Sequence, residues 1–429
     1  MRALSFLVGA AAMSAVALTA CEPAAPPAVT TKAVASANGT ALRSTDPVIT
    51  PDGRYVAFWS VASNVVPGGV GGPTEQLYRL DRTTGTTIQV SVNTAGQPVQ
   101  GAGAAIGHNP AEMSDDGRYI VWGDIAANLA PGDGAAVQHV YLRDVVAGTT
   151  SRIDNAPGGA PANGHSPTVS ISANGAWIAF DSVATNLVPN DSTDKLRDVF
   201  RVNRATGEVV KVSVGRTSTG AAVAPDGNSQ LPIALDDGRV VMESRATNLA
   251  KGQTLGNADS IIYLMTPGIV PVVVVSATNA GGVGYGQLKS ASPDGRFVTF
   301  TSYTNYSGKG GSSWLRDTVA GTVENTILTT DGKGGGGADP VVTSDGRYVA
   351  VYSGTSFTGE DLNGAQVAQV RDRTTGRVWI ASRVGSKPGY VNRVGGITRN
   401  GTTVVFDGNT NYTTPAEAST KAWIATAKL

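Results

Sequence analysis

Short runs of alternating apolar and polar residues recur along most of the chain, and each follows an Asp-Gly or Asn-Gly pair. Such alternation is typical of a half-buried β-strand, and these pairs favour two-residue hairpin turns in which both residues have positive φ. The pattern therefore predicts seven β-hairpins, with 51 to 64 residues between successive turn glycines. The seven turn pairs are Asp52-Gly53, Asp116-Gly117, Asn174-Gly175, Asp237-Gly238, Asp294-Gly295, Asp345-Gly346 and Asn400-Gly401.

Two further signals recur in register with these turns. An asparagine follows ten or eleven residues after the turn in six copies, and the next strand pair contains an aromatic-led strand that ends in Asp or Asn before a Gly. The asparagines are Asn64, Asn128, Asn186, Asn248, Asn305 and Asn411. Each copy then contains two hairpins, or four strands A to D. Four-stranded units in such a radial repeat predict an all-β chain folded as a seven-bladed β-propeller of antiparallel blades.

The motifs resemble those of a known repeat family. The segments 292–300 (SPDGRFVTF), 343–351 (TSDGRYVAV) and 77–85 (LYRLDRTTG) are similar to the TolB-like, WD-repeat-like propeller repeat, from about residue 30 to the end of the chain. The resemblance implies a propeller that engages other envelope proteins through one face. We expect no counterpart of the additional N-terminal α/β domain of TolB in this sequence, so the resemblance does not imply a role in the Tol system.

The seventh copy indicates how the ring closes. It supplies strand A (394–397), strand B (403–406) and strand C (422–425), and then the chain ends. Residues 30–39 align with a D strand of the first copy (86–96). We therefore predict that the N-terminal strand completes the last blade and so removes an open sheet edge.

The N-terminus resembles a bacterial lipoprotein signal peptide. Arg2 precedes an apolar run from residue 3 to 18, and Leu-Thr-Ala-Cys closes it at Cys21, the single cysteine of the chain. We predict a signal peptide over 1–20, lipidation of Cys21, a Pro/Ala linker over 21–29 and a propeller over 30–429. This organisation predicts an extracytoplasmic protein held to a bacterial membrane by its lipid; an ordinary signal peptide with a chance cysteine is the alternative.

The amino-acid composition limits the classes of binding partner that are expected. Lys plus Arg and Asp plus Glu both number 33, so the chain has no basic excess of the kind that nucleic-acid binding requires, and no nucleic-acid partner is expected. With 41% hydrophobic residues the chain can form a substantial core.

Candidate chemistry is sparse. His108 and His165 each stand two residues before a proline at the entry to strand A, so we consider them a possible ligand-contact pair near the channel mouth, or two solvated loop residues. His139 is predicted to lie at the surface. Calcium is possible at loop acids, although their spacing does not match an EF-hand, and no other cofactor and no metal site is predicted. The candidate loop acids are Asp191, Asp194, Asp198, Glu360 and Asp361.

Two functional hypotheses follow. The first is a lipid-anchored envelope propeller that binds a protein or a cell-wall glycan as a scaffold, without catalytic residues. The alternative is a polysaccharide lyase or glycosidase with its site at the channel mouth. Such an enzyme needs paired carboxylates or a metal held by several side chains, and the sequence offers three histidines and few clustered acids.

Overall fold

The fold is a seven-bladed β-propeller. The computed structural model describes residues 27–34, 43–69, 75–100, 110–134, 136–189, 191, 195–250, 260–268, 272–306, 308, 310–384, 386–408 and 421–428. These residues form seven four-stranded antiparallel sheets and two small two-stranded sheets. None of the described residues forms a helix of the length and apolarity that crossing a membrane requires. The predicted fold class is confirmed.

Each blade runs from strand A at the centre to strand D at the rim. In blades 1 to 3 the strands are β2 (Ser44–Ile49), β3 (Tyr55–Ser60), β4 (Gln76–Asp81), β5 (Thr86–Gln89); β6 (Glu112–Met113), β7 (Tyr119–Asp124), β8 (His139–Asp144), β9 (Thr149–Arg152); β10 (Val169–Ile171), β11 (Trp177–Ser182), β12 (Asp198–Asn203) and β13 (Val209–Lys211). A small hairpin, β14 (Gly215–Arg216) and β15 (Ala222–Val223), precedes blade 4.

The second half of the ring repeats this order. Blades 4 to 6 contain β16 (Ser229–Ala234), β17 (Val240–Ser244), β18 (Ile261–Met265), β19 (Val273–Val274); β20 (Gln287–Ala291), β21 (Phe297–Thr301), β22 (Ser313–Asp317), β23 (Thr322–Asn325); β24 (Ala338–Val342), β25 (Tyr348–Ser353), β26 (Val367–Asp372) and β27 (Val378–Ile380). A second small hairpin follows, β28 (Arg383–Val384) and β29 (Lys387–Pro388).

Blade 7 joins the two ends of the chain. It contains β30 (Arg393–Ile397), β31 (Thr403–Gly408) and β32 (Lys421–Lys428), and its outer strand is the N-terminal β1 (Ala28–Ala33). The register runs from Ala28 opposite Lys428 to Ala33 opposite Trp423. The closing strand is therefore the predicted one, although it begins at Ala28.

The A–B turns differ in geometry from the prediction. The expected two-residue turn with two positive φ angles is wrong, because only the glycine has positive φ (78° at Gly53) and the Asp does not. Thr50 pairs with Tyr55 through its N–H (3.0 Å) and so closes a four-residue loop, within which Gly53 N–H donates to Thr50 O (2.8 Å). The Asp52 carboxylate caps this loop by accepting from Arg54 N–H.

A hydroxyl residue before the turn completes its hydrogen bonding. In six blades its Oγ donates to the turn Asp or Asn and accepts the N–H five residues later. These residues are Thr50, Ser114, Ser172, Ser292, Thr343 and Thr398. The turn Asp and Asn residues therefore stabilise the hairpins, as expected for residues that hydrogen-bond their own backbone.

The turn glycine also forms a contact between blades. A Cβ built on Gly346 would lie 2.3 Å from Cδ2 of Phe297, which begins strand B of the preceding blade. Gly117 meets Tyr55 of its preceding blade at the same distance. Glycine is thus required here for two reasons, the positive φ and the close approach of an aromatic ring.

This double requirement predicts unequal effects of alanine at two glycines. Gly376 has a similar φ (75°), but a Cβ there would meet nothing within 4 Å. Gly376→Ala should cost about 1–2 kcal/mol of unfolding free energy from backbone strain alone. Gly346→Ala should cost about 1–3 kcal/mol more, since the added methyl overpacks the ring of Phe297. Urea denaturation of both variants measures the difference, and equal losses would contradict the proposed packing role.

The recurring asparagine binds the connection that leads from the preceding blade into its own blade. Asn186 Oδ1 accepts from Asn163 N–H (3.0 Å), and its Nδ2 donates to Pro161 O (3.0 Å). Asn128 and Asn248 make the same pair of bonds to the segment that precedes strand A of their own blade. Asn305 departs from this pattern, because its Oδ1 accepts from the nearby Gly308 N–H.

Candidate functional site

The seven A strands surround a central channel. Its cavity has a volume of about 560 Å³ and is lined by residues from strand A of every blade or from the residues beside it. The short A–B turns surround one mouth. The long B–C and D–A connections lie on the opposite face, which we call the loop face. Cavities of this size and concave shape are typical of small-ligand sites.

Two ion pairs lie at the loop-face mouth. Arg393 of blade 7 contacts Asp46 of blade 1 through Nη1 and Oδ1 at 2.5 Å. Lys289 of blade 5 contacts Asp339 of blade 6, with 2.9 Å between Nζ and Oδ1. All four side chains are between 20% and 28% exposed, so part of each remains accessible from the channel mouth.

Backbone irregularities position the two aspartates. Asp46 and Asp339 have positive φ angles of 49° and 42° and each precedes a proline, Pro47 or Pro340. Both lie within β-bulges, where the register of strand A shifts. Bulges redirect a side chain, and here they occur at the start of strand A, where the Asp side chains line the cavity.

A buried carboxylate and two tyrosines lie behind this rim. Asp407 accepts a hydrogen bond from Asp46 N–H (3.3 Å) and is only 6% exposed. Burial, with the nearby Asp46, raises the pKa of Asp407 to about 6, although Arg393 opposes the shift. Burial also raises the pKa of Tyr352, with contributions from Asp339, Asp407 and Tyr390. Tyr390 is partly exposed on the loop face.

Glu112 lies deeper in the channel wall. One of its carboxylate oxygens accepts a hydrogen bond from the Ile171 N–H of blade 3. Burial raises the pKa of Glu112 to about 7, while that hydrogen bond and the charge of Arg393 oppose the shift. A carboxyl group with a pKa near neutrality in a cleft is a common feature of functional sites.

The opposite mouth is lined differently. Asp115 N–H donates to Ala173 O and Arg399 N–H donates to Pro51 O, so backbone bonds link the blades around it. Arg399 Nη2 stands 4.0 Å from Asp115 Oδ2. These two side chains are 63% and 38% exposed and stand farther apart than either ion pair of the loop-face mouth.

Of the two histidines predicted as a ligand-contact pair, only His165 lies within the described residues. His165 is exposed, its Nδ1 accepts from Gln138 N–H (3.1 Å), and it is not among the residues that line the channel cavity. His108 lies outside the described residues, as does Cys21. Their roles in ligand contact and lipidation stay predictions.

The expectation of a surface His139 is wrong. His139 is 2% exposed, and its Nδ1 lies 3.0 Å from Asp154 Oδ2. Ser166 Oγ donates to the same oxygen (2.7 Å) and contacts Ser182 Oγ at 3.1 Å. This buried network links blades 2 and 3. The serine meets the aspartate and not the histidine, so the arrangement is not that of a nucleophile activated by a base.

The loop acids that were considered for calcium bind cations of the chain itself. Lys211 Nζ lies 2.5 Å from Asp198 Oδ2 and 3.3 Å from Asp191 Oδ1, and Glu360 pairs with Arg383. Asp194 lies outside the described residues. Across the described ranges, no group of three or more His, Cys, Asp or Glu side chains is arranged to hold a metal ion.

Comparison with solved structures identifies the class of fold. The chain is similar to an oligogalacturonate lyase from Vibrio parahaemolyticus (12% identity, TM-score 0.54, 94% of this chain and 98% of that chain covered). It is also similar to an oligogalacturonate lyase in complex with manganese (14%, 0.54, 93% and 96%). TolB from Acinetobacter baumannii matches with 12% identity, a TM-score of 0.35, and coverage of 88% and 65%.

At 12% and 14% sequence identity, the structural similarity to the two lyases shows the fold alone. No family model matches the sequence, and no curated protein matches it. The chain is thus a seven-bladed β-propeller, as its sequence repeats predict.

Proposed function

We propose that this protein is a lipid-anchored extracytoplasmic propeller that binds a saccharide at the loop-face mouth of its channel. The observation that carries the proposal is the concave mouth in which Arg393, Lys289, Asp46 and Asp339 present partly exposed donors and acceptors. Carboxylate and guanidinium groups can each bind two hydroxyls at once, which suits the closely spaced hydroxyls of a sugar ring. Tyr390, which is 38% exposed on the same face, would add an apolar ring surface.

A saccharide fits this site better than a flat protein surface does. Protein interfaces bury about 800 Å² per partner and centre on aromatic or arginine anchors in a broad patch. The mouth is instead a cavity of small-molecule size lined by paired charges. Two of the similar structures are named as oligogalacturonate lyases, so saccharides are handled by propellers of comparable length.

Binding should depend on the loop-face mouth and not on the channel as a whole. We expect Arg393→Ala to weaken saccharide binding by at least about tenfold, because a charge-assisted hydrogen bond contributes about 1.5–3 kcal/mol. Arg399→Ala removes the same group at the opposite mouth and should leave binding unchanged. Tyr390→Ala, at a partly exposed position, tests the same face with little effect on folding.

The experiment is a glycan array followed by titration calorimetry on the full-length chain and these three variants. Saccharide binding that Arg393→Ala and Tyr390→Ala weaken and Arg399→Ala spares would support the proposal. No saccharide bound, or equal binding by all variants, would overturn it. A single saturable protein captured from envelope extract through the same face would assign the site to a protein partner.

The anchor has its own test. The apolar run and Leu-Thr-Ala-Cys support lipidation of Cys21. We expect Cys21→Ser to shift the protein from the membrane fraction to the soluble fraction, because acyl chains would no longer hold it. Ser14→Ala, within the apolar run, should leave fractionation unchanged. Membrane retention of Cys21→Ser equal to that of the unmodified sequence would refute the anchor.

A lyase is the second candidate, favoured by the two similar structures of that name. One of those contains manganese. Among the described residues of this chain, no group of three or more His, Cys, Asp or Glu side chains could hold a metal ion. Incubation with oligogalacturonate and detection of an unsaturated uronate product by ultraviolet absorbance tests this activity directly.

A further inference from the structure

We infer that Glu112 binds the protonated amine of a saccharide seated at the channel mouth, so that the site prefers amino sugars. The inference rests on the proposed function and names the class of saccharide. It follows from the charges that line the cavity.

Seven ionisable side chains line the channel cavity, and six of them form pairs. The six are Arg393 with Asp46, Lys289 with Asp339, and Arg399 with Asp115. Glu112 is the seventh, and no described lysine or arginine forms an ion pair with it. The cavity therefore contains one carboxylate whose charge is not balanced at contact distance.

The surroundings of Glu112 favour a cationic partner of small size. Its carboxylate accepts a hydrogen bond from the Ile171 N–H, and an ionised carboxylate has the capacity to accept further hydrogen bonds from a ligand. Val48, Met113 and Ile171 line the same cavity and reduce its polarity. An ion pair with hydrogen bonds is stronger in such an environment than in water.

Acidic side chains outnumber basic ones at this mouth. The cavity lining has four acids and three bases, and Asp407, which is buried behind the rim, adds a fifth carboxyl group. A polyanionic saccharide would bring more negative charge to this mouth, whereas an amino sugar would neutralise it. The charges thus favour a different ligand from oligogalacturonate, after which two of the similar structures are named.

The raised pKa of Glu112 agrees with this geometry. Its pKa lies near 7 because the anion is enclosed without a contacting cation, and the groups that oppose the shift are the Ile171 N–H and Arg393. An ammonium group at contact distance would stabilise the anion and lower this pKa. A calcium ion would need about six to eight oxygen ligands, more than this wall supplies.

The test compares two oligosaccharides of equal length that differ only in the amine. Titration calorimetry on the full-length chain would use a glucosamine oligomer and its N-acetylated counterpart, with oligogalacturonate as the acidic probe. We expect the free amine to bind about tenfold or more tightly than the acetylated form, the effect of one charge-assisted hydrogen bond. Oligogalacturonate should bind more weakly than either.

The variant Glu112→Gln should abolish the preference for the free amine, because the amide keeps the shape and removes the charge. Asp115→Asn is the matched control at the opposite mouth and should retain the preference. A carboxyl NMR titration supplies a second measurement, in which glucosamine oligomer should lower the pKa of Glu112.

The outcomes separate the inference from the proposed function. Equal binding of both oligomers, or a preference that survives Glu112→Gln, would overturn the inference and leave saccharide binding intact. Absence of binding to every saccharide would overturn both. If no sugar binds and a lysine-containing peptide binds in a Glu112-dependent manner, Glu112 would still be an amine-binding residue, but the saccharide would be rejected as its ligand.

Discussion

Deletion of residues 28–34 should unfold the entire ring and not only its last blade. This segment contains β1, whose six residues all pair with β32 across the junction between the two ends of the chain. Each backbone hydrogen bond contributes about 1 kcal/mol net, and the total stability of a protein is only about 5–15 kcal/mol. Val34, which is 1% exposed, adds buried apolar area to the same junction.

The geometry of the ring explains why the loss should spread. Blade 7 packs against blade 1 through β30, β31 and β32, all of which contact β2. Without β1, the pairing edge of β32 is exposed, and both neighbours of blade 7 lose a stable surface. Removal of the last ten residues, which contain all of β32, should have the same consequence.

Thermal melting followed by circular dichroism distinguishes unfolding of the whole ring from loss of structure in blade 7 alone. The deletion should abolish the cooperative transition, and a variant that begins at residue 27, with β1 intact, should melt like the full chain. A cooperative melt near that of the full chain in the 28–34 deletion would show that closure by β1 is dispensable.

Sequence reasoning identified the features of the fold that depend on local chemistry. The seven turns were predictable because each hairpin repeats the same short motif, and the closing strand was predictable because its residues match a D strand. The φ angles within the turns were not, since the hydroxyl of Thr50 and its equivalents selects a longer loop through bonds that the Asp-Gly pair does not encode. The recurring asparagine was found, but its partners on the preceding segment are non-local.

The site residues were missed because they depart from the repeat. Glu112 pairs with Val121 in β7 at the register position that Val48 and Val341 occupy in other blades. The available signal was a charged residue at a position that is uncharged in the other six copies, where it is Val, Ile, Ser or Gly. His139 was misjudged for a different reason. Its partner Asp154 lies just after strand D, at a position where four other blades have a serine that is bonded to strand C, namely Ser91, Ser213, Ser276 and Ser382.

The second large effect that we predict is a dependence of the unfolding free energy on pH. We expect the protein to be more stable at about pH 5 than at about pH 8, because several carboxyl groups have raised pKa values in the folded state. Glu112 is raised to about 7, and Asp124 and Asp407 to about 6, by burial in each case. Between the ordinary carboxyl range and these values the folded chain binds more protons than the unfolded chain, so unfolding free energy falls as pH rises.

Glu112 should account for the part of this loss that lies closest to neutrality. A rise from the ordinary value of 4.5 to about 7 corresponds to about 3 kcal/mol once the group is fully ionised. Glu112→Gln should therefore gain stability relative to the parent at about pH 8 and match it at about pH 5, with a flatter profile between them.

Urea denaturation of both proteins across this pH range measures the difference. Asp144 provides the control of opposite sign. Its bond to Arg118 lowers its pKa to about 2, so its contribution is present at neutral pH and is lost only in acid. Asp144→Asn should therefore destabilise the protein at about pH 8, where Glu112→Gln stabilises it. Parallel profiles for Glu112→Gln and the parent would mean that Glu112 ionises in the folded channel as it does in the unfolded chain, and would remove the electrostatic basis for an amine site at this residue.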